Sequence, residues 1–215
     1  MGNLRRWAKQ PSYQLERRVD ALLSPYLEAF LERRFGAGSL VKLVTSEFPI
    51  PKELLLKGEA AQTAKRERRH VSADFLLLQR KPKPRWILLE LKTDMGSRKD
   101  KEDKNYAAIG GATMEVVLNS LEDVKQTSRF KDDYTLLVAR VRALGHGKEL
   151  IETHYLQPIR AGGDPSRVHT LREFADSRVG EGDELWTLLV KLLRGVVRSE
   201  KGRRSKKGRR GRSKN

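Results

Sequence analysis

The chain has 215 residues, enough for one domain with appendages, and its 45 lysines and arginines against 28 acids leave a formal charge of +17. That excess predicts a polyanionic partner, and +9 of it lies in the last eighteen residues, 198–215. There is no cysteine, which excludes disulfides and thiolate metal sites, and no run approaching 18 apolar residues, which excludes an expected membrane span.

The basic start has neither the apolar segment of a signal peptide nor Ser/Thr at the sixth position for a myristoylation signal, where Arg6 stands. A cytoplasmic protein, with nucleoid association open, is the expectation.

In chain order, Leu15, Val19, Leu22, Leu23, Tyr26, Leu27, Phe30 and Leu31 recur at helical spacing, which predicts a helix over 13–35 that Pro25 kinks or splits and Gly36 ends. Residues 39–48 alternate and are rich in branched side chains, so they read as a strand ending near Glu47. Residues 49–70 form a long connection with one helical turn in "PKELLLKG", followed by the basic stretch "KRERRH". Two runs, 71–79 and 85–93, are separated by "RKPKP" and predict a hairpin of strands.

Residues 97–109 are polar and helix-compatible, with Ser97 as N-cap; Gly110 and Gly111 interrupt, and 112–127 resumes as an amphipathic helix. Residues 134–144 and 149–159 read as two more strands joined across "GHGK", and 170–178 as a short helix. An amphipathic helix follows over 183–197, and the tail 198–215 is too charged and too poor in apolar residues to fold alone. The expected architecture is a mixed sheet flanked by helices, α/β or α+β, in one domain over 1–197, with a disordered basic tail over 198–215.

The chemistry concentrates in "ILLELKTD", residues 87–94. Glu90 and Lys92 interrupt an apolar strand, and side-chain alternation sends both to one face. A hairpin turning near residue 82 sets Asp74 of the preceding strand opposite residues 90–92. Two carboxylates at one spot repel each other, and Mg²⁺, which often uses one or two protein carboxylates, is the usual compensation. Such a metal can activate water and hold a phosphodiester, with Lys92 stabilising the charge that develops.

An acid on one strand, Glu-x-Lys on the next, and an N-terminal helix carrying a glutamate together resemble the PD-(D/E)XK nuclease superfamily, which has the restriction-endonuclease-like fold. The resemblance covers roughly residues 13–142. The context "SEFPI … SADFLLL … WILLELKTD" is similar to a subgroup of uncharacterised members in which Thr-Asp and a serine follow the lysine, as Thr93, Asp94 and Ser97 do here. It implies a mixed sheet flanked by helices and Mg²⁺-dependent cleavage of nucleic acid, DNA in preference to RNA, with Mn²⁺ as a substitute metal. It also implies Asp74 and Glu90 as metal ligands, the Leu91 carbonyl as a further one, Lys92 as the catalytic lysine and Glu16 as the supporting acid. Ala73 stands where the motif has proline, and Glu102, four residues before Tyr106, stands where exonuclease-like members carry glutamine.

Other residues have plainer alternatives. Glu90 and Lys92 could form an ion pair without metal, Asp74 could be a surface acid, and Asp20 or Glu28 could serve in place of Glu16. Glu47 is a further candidate acid. Nucleic acid would be gripped by Arg68 and Arg69 of the basic loop and by Arg203, Arg204, Lys206, Lys207, Arg209 and Arg210 of the tail. Tyr106 is weighed between packing and base stacking, and Lys125 and Gln126 between phosphate contact and a solvated helix end. The second Glu-x-Lys, Glu102 to Lys104, reads as a solvated helix face. The four histidines lack metal-ligand spacing. The competing function is a non-catalytic nucleic-acid-binding or partner-binding module that keeps the fold; oligomeric state is open, a homodimer among the options.

Overall fold

The structure is a computed structural model that describes residues 12–56, 58–66, 70–94, 106, 108–126, 128–160 and 164–211; side chains are described within 19–199, except at 65 and 66. It is mixed α/β. In chain order the elements are α1 (Ser12–Phe35), β1 (Leu40–Pro51), a 3₁₀ turn (Lys52–Leu54), α2 (Gly58–Arg66), β2 (His70–Lys81), β3 (Arg85–Leu91), α3 (Met114–Lys125), α4 (Lys131–Arg142), β4 (Ile151–Gln157), β5 (Val168–Thr170), α5 (Leu171–Asp176) and α6 (Glu184–Gly211). The five strands form one mixed sheet in the order β1-β2-β3-β4-β5.

By contacts the chain divides into two compact units. The first takes Met1–Arg34, Leu91–Arg98 and Tyr155–Asn215; the second takes Phe35–Glu90 and Lys99–His154. β3 and β4 therefore pass from one unit to the other, after Glu90 and after His154.

The first unit is built on aromatic packing. α1 buries Val19, Leu23, Tyr26, Leu27, Phe30 and Leu31, the stripe its spacing predicts. It is one helix, not two. The Ala21 carbonyl, which Pro25 has no N–H to satisfy, accepts the Ser24 hydroxyl instead at 3.1 Å. Phe30 packs on Phe174 of α5 at 4.9 Å between ring centres, and Tyr26 packs edge-on to Trp186 of α6 at 4.9 Å.

The Tyr26 hydroxyl donates to Asp183 at 2.6 Å. Burial, and then that acceptor, push the phenol up to about 12, while the same hydrogen bond holds the Asp183 carboxyl below its usual range. α5 has only six residues and relies on its cap. Thr170 accepts the N–H of Glu173, and the Glu173 carboxylate accepts the N–H of Thr170, a complete capping box.

In the second unit β1 and β2 run antiparallel over almost their whole length, with Phe48 against Ala73 and Ile50 against Val71. β2 and β3 form the predicted hairpin, with Leu78 against Trp86 and Leu76 against Leu88. Those four share a face and join Val117, Leu118, Leu121 and Val124 of α3 in one core cluster. The indole of Trp86, fully buried, donates to the His146 carbonyl at 2.7 Å, as a buried donor must. Arg142 of α4 reaches Glu115, Asn119 and Glu122 of α3 and joins the two helices at their exposed edge.

Four expectations are corrected. Residues 134–144 are not a strand but most of α4: Tyr134, Val138 and Val141 are buried at helical spacing, while Leu136, on the other side, is 70% exposed. Asp132 and Asp133 at its start and Arg140 and Arg142 at its end also suit the helix dipole. The long connection 49–70 holds a second helix, α2, rich in alanine. β5 was not expected; three residues carry no readable period, and pairing with β4 alone defines it. The last helix continues past 197 to Gly211, so residues 198–211 are helical where a disordered tail was expected, since Lys and Arg are good helix formers and no proline intervenes. The helix expected over 97–109 falls mostly outside the described residues, with Tyr106, Ala108 and Ile109 helical.

Candidate functional site

The hairpin positions the central acids. β2 and β3 are apolar on both faces because both are covered, and their register is set by that pattern. Phe75 lies against Leu89 in the ladder. That is the last pair of the ladder, and Asp74 and Glu90 are the next residues of their strands beyond it. Alternation puts Glu90 on the face of Trp86 and Leu88; on β2, Ala73 shares the core cluster with Leu76 and Leu78, so strict alternation does not hold around Asp74.

Their environments differ. Glu90 is 4% exposed, whereas Asp74 is half-buried. A buried carboxylate costs several kcal/mol in lost hydration unless a cation or donors compensate, and a second carboxylate opposite raises that cost. On the other side of Asp74, β1 pairs Ser46 with Phe75 and Phe48 with Ala73, which leaves Glu47 facing the Asp74 position. Glu47 is exposed and has φ 51°, a left-handed conformation unusual for a residue with a side chain. Sequence alone carries no signal for that backbone strain.

Leu91, the last residue of β3, is buried, and with it the chain enters the first unit. There the Lys92 N–H donates to the Leu156 carbonyl at 2.8 Å, and Lys92 is half-buried. The Trp86 N–H donates to the Leu150 carbonyl in the second unit, so the bonds advance in the same direction along β3 and β4, as in parallel strands. Thr93 is buried and Asp94 half-buried. Gln157 is fully buried and donates to the Ile159 carbonyl at 3.0 Å, a polar residue of the strand that the sequence did not single out.

Among the described residues no group of three His, Cys, Asp or Glu side chains converges as a metal cluster. The oxygen donors of this stretch are the carboxylates of Asp74 on β2 and Glu90 on β3, with the Leu91 carbonyl next in the chain. That all-oxygen set fits Mg²⁺, which is held through one or two carboxylates and keeps waters, and it does not fit a closed zinc site.

The remaining candidates divide. Glu16 lies on the α1 backbone, with its side chain outside the described set; Arg68 and Arg69 lie outside the described residues altogether. Arg203, Arg204, Lys206, Lys207, Arg209 and Arg210 fall on the helical backbone of α6, their side chains likewise outside the described set. Tyr106 is 7% exposed within the core cluster of the second unit, which fits packing and keeps its ring from a stacking base. His154 and His169 are buried against the rings of Phe35 and Phe30.

Among the described residues no helix is long and apolar enough to cross a membrane. Compared with known proteins, the chain matches no family model, no curated protein and no solved structure.

Proposed function

We propose that the chain is an Mg²⁺-dependent nuclease that hydrolyses phosphodiester bonds of DNA, with the restriction-endonuclease-like core its sequence resembles. What supports this reading is that Asp74 and Glu90 are the next residues of β2 and β3 beyond their last ladder pair, Phe75 and Leu89, with Glu90 buried at the end of an apolar run. Asp74 and Glu90 would hold the metal, with the Leu91 carbonyl beside them; when bound, Mg²⁺ supplies a polarised water and charge neutralisation at the phosphate. Lys92 contributes a cation two residues beyond Glu90, suited to stabilising developing negative charge. Glu16 is the supporting acid. A cytoplasmic setting and a nucleic-acid partner belong to the same proposal.

A second reading, a non-catalytic nucleic-acid-binding or partner-binding module that keeps the fold, draws on the formal charge of +17, which favours a polyanionic partner without requiring cleavage. Linear, circular and single-stranded DNA incubated with Mg²⁺ or Mn²⁺ separate the two. Cleavage that disappears in Lys92→Ala while DNA binding persists supports the nuclease. Equal cleavage by that variant, in a preparation free of contaminating nuclease, overturns it. Thermal denaturation gives a second readout. Mg²⁺ at a hundred times its Kd stabilises a folded binder by about 2.7 kcal/mol, and Asp74→Asn should remove that gain.

A further inference from the structure

The first unit carries a second polar focus of opposite sign. Where the end of α1, α5 and α6 meet, two clefts of about 400 and 380 Å³ adjoin and share Arg172 and Asp176. Arg33 and Arg34 line the first, Arg194 and Arg198 the second. Five guanidinium groups thus stand around two carboxylates, Glu173 and Asp176, and all five arginines are exposed.

The internal pairing is weak. Asp176 is shared between Arg172 at 3.4 Å and Arg194 at 3.3 Å, and the side chains involved are 50–69% exposed. Exposed pairs of this kind contribute about 0–1 kcal/mol, so an incoming anion can displace them. Glu173 is committed elsewhere, to the cap of α5 and to Arg160 at 2.6 Å; although burial opposes it, those contacts and the nearby Arg34 hold its carboxyl low. Arg198 makes no ion pair among the described residues.

We propose that this arginine cluster, Arg33, Arg34, Arg172, Arg194 and Arg198, is a docking surface for the phosphate backbone of a nucleic acid, separate from the Asp74–Glu90 pair. Guanidinium forks match phosphate oxygens two at a time, which suits a backbone contact that reads no sequence. The clefts are concave, and arginines line both. The apolar side of α6 (Trp186, Leu189, Leu192, Leu193 and Val196) is buried in the unit, leaving no apolar edge to enter a bilayer as a membrane-surface helix requires. The inference shares its partner class with the proposed nuclease but needs no cleavage, and its test runs without metal.

Fluorescence anisotropy of the full chain with a labelled 30-base-pair duplex, in EDTA and across a NaCl series, reads it. The triple variant Arg172→Gln/Arg194→Gln/Arg198→Gln should weaken binding about tenfold or more and flatten the log–log salt slope by about 2–3, near 0.9 for each phosphate no longer neutralised. A control losing equal charge in the second unit, Lys131→Gln/Arg140→Gln/Lys148→Gln, should weaken it less than twofold. Asp176→Asn, which releases Arg172 and Arg194, should tighten binding two- to threefold, a sign that misfolding would not produce. Equal loss in cluster and control variants, or weaker binding by Asp176→Asn, overturns the proposal. So does cluster-dependent binding to phosphatidylserine vesicles combined with unchanged duplex affinity. Cleavage that fails while the cluster result holds removes the nuclease reading alone; the converse removes this one alone.

Discussion

The two units place their charge in opposite ways. In the second unit Glu90, almost wholly buried, follows the apolar run of β3, and Asp74 lies half-buried on the neighbouring strand. In the first unit five exposed arginines extend from three helices on long flexible side chains. A buried acid on a strand is held in one place by the packing around it. Exposed guanidiniums suit a partner whose phosphates vary in position. The difference teaches that a net charge of +17 does not describe the chain: one acid is held inside a strand of the second unit, while the arginines that line the clefts of the first are exposed.

The strongest way to break the comparison is to remove the scaffold beneath either focus. Phe174→Ala, at a fully buried ring between Phe30 and Trp186, should cost about 3–5 kcal/mol in urea unfolding. A cost below 1 kcal/mol would mean that the aromatic cluster does not support the arginine-bearing helices. Next in size, Lys92→Ala should lower DNA cleavage by about 10²–10³, read as single-turnover rate at fixed Mg²⁺. Substitutions of the cleft arginines should act on affinity instead, so matching rate losses in both sets would erase the distinction.

Thr170→Ala removes one half of the capping box of α5 and should cost about 1 kcal/mol, measured by thermal denaturation. Thr170→Ser should recover most of it.

The smallest effect is in pH. The raised phenol of Tyr26 binds its proton more tightly folded than unfolded, so its contribution is complete below pH 10 and is lost as pH rises from 10 towards 12. Asp183 is lowered, so its contribution holds above its ordinary value and fades as pH falls through the depressed one. Tyr26→Phe should remove the alkaline loss and reduce the acid one. A stability profile identical to that of the unsubstituted chain would show that the hydrogen bond contributes nothing.

Much of this was legible in advance because it is local. The α1 stripe, the hairpin of β2 and β3, the amphipathic α3 and the start of α6 follow from periods of 3.6 and 2 and from proline and glycine at their ends. The β2–β3 ladder could be anticipated because a short hairpin fixes its own register. α4 could not be read correctly from its Val and Leu content, since "YTLLVARVRAL" serves either period and only packing of Tyr134, Val138 and Val141 chooses the helix. Nor could the arginine cluster, since Arg33, Arg172 and Arg194 are far apart in the chain.

The sequence by itself determined where apolar stripes and acids lie along each element, because side-chain spacing is a property of the local backbone. Only the tertiary structure decided which distant arginines share a cleft, that Glu47 adopts a left-handed backbone facing the Asp74 position, and that Val168–Thr170 is a strand at all. Those outcomes depend on packing between residues remote in sequence, and no local pattern encodes its free energy.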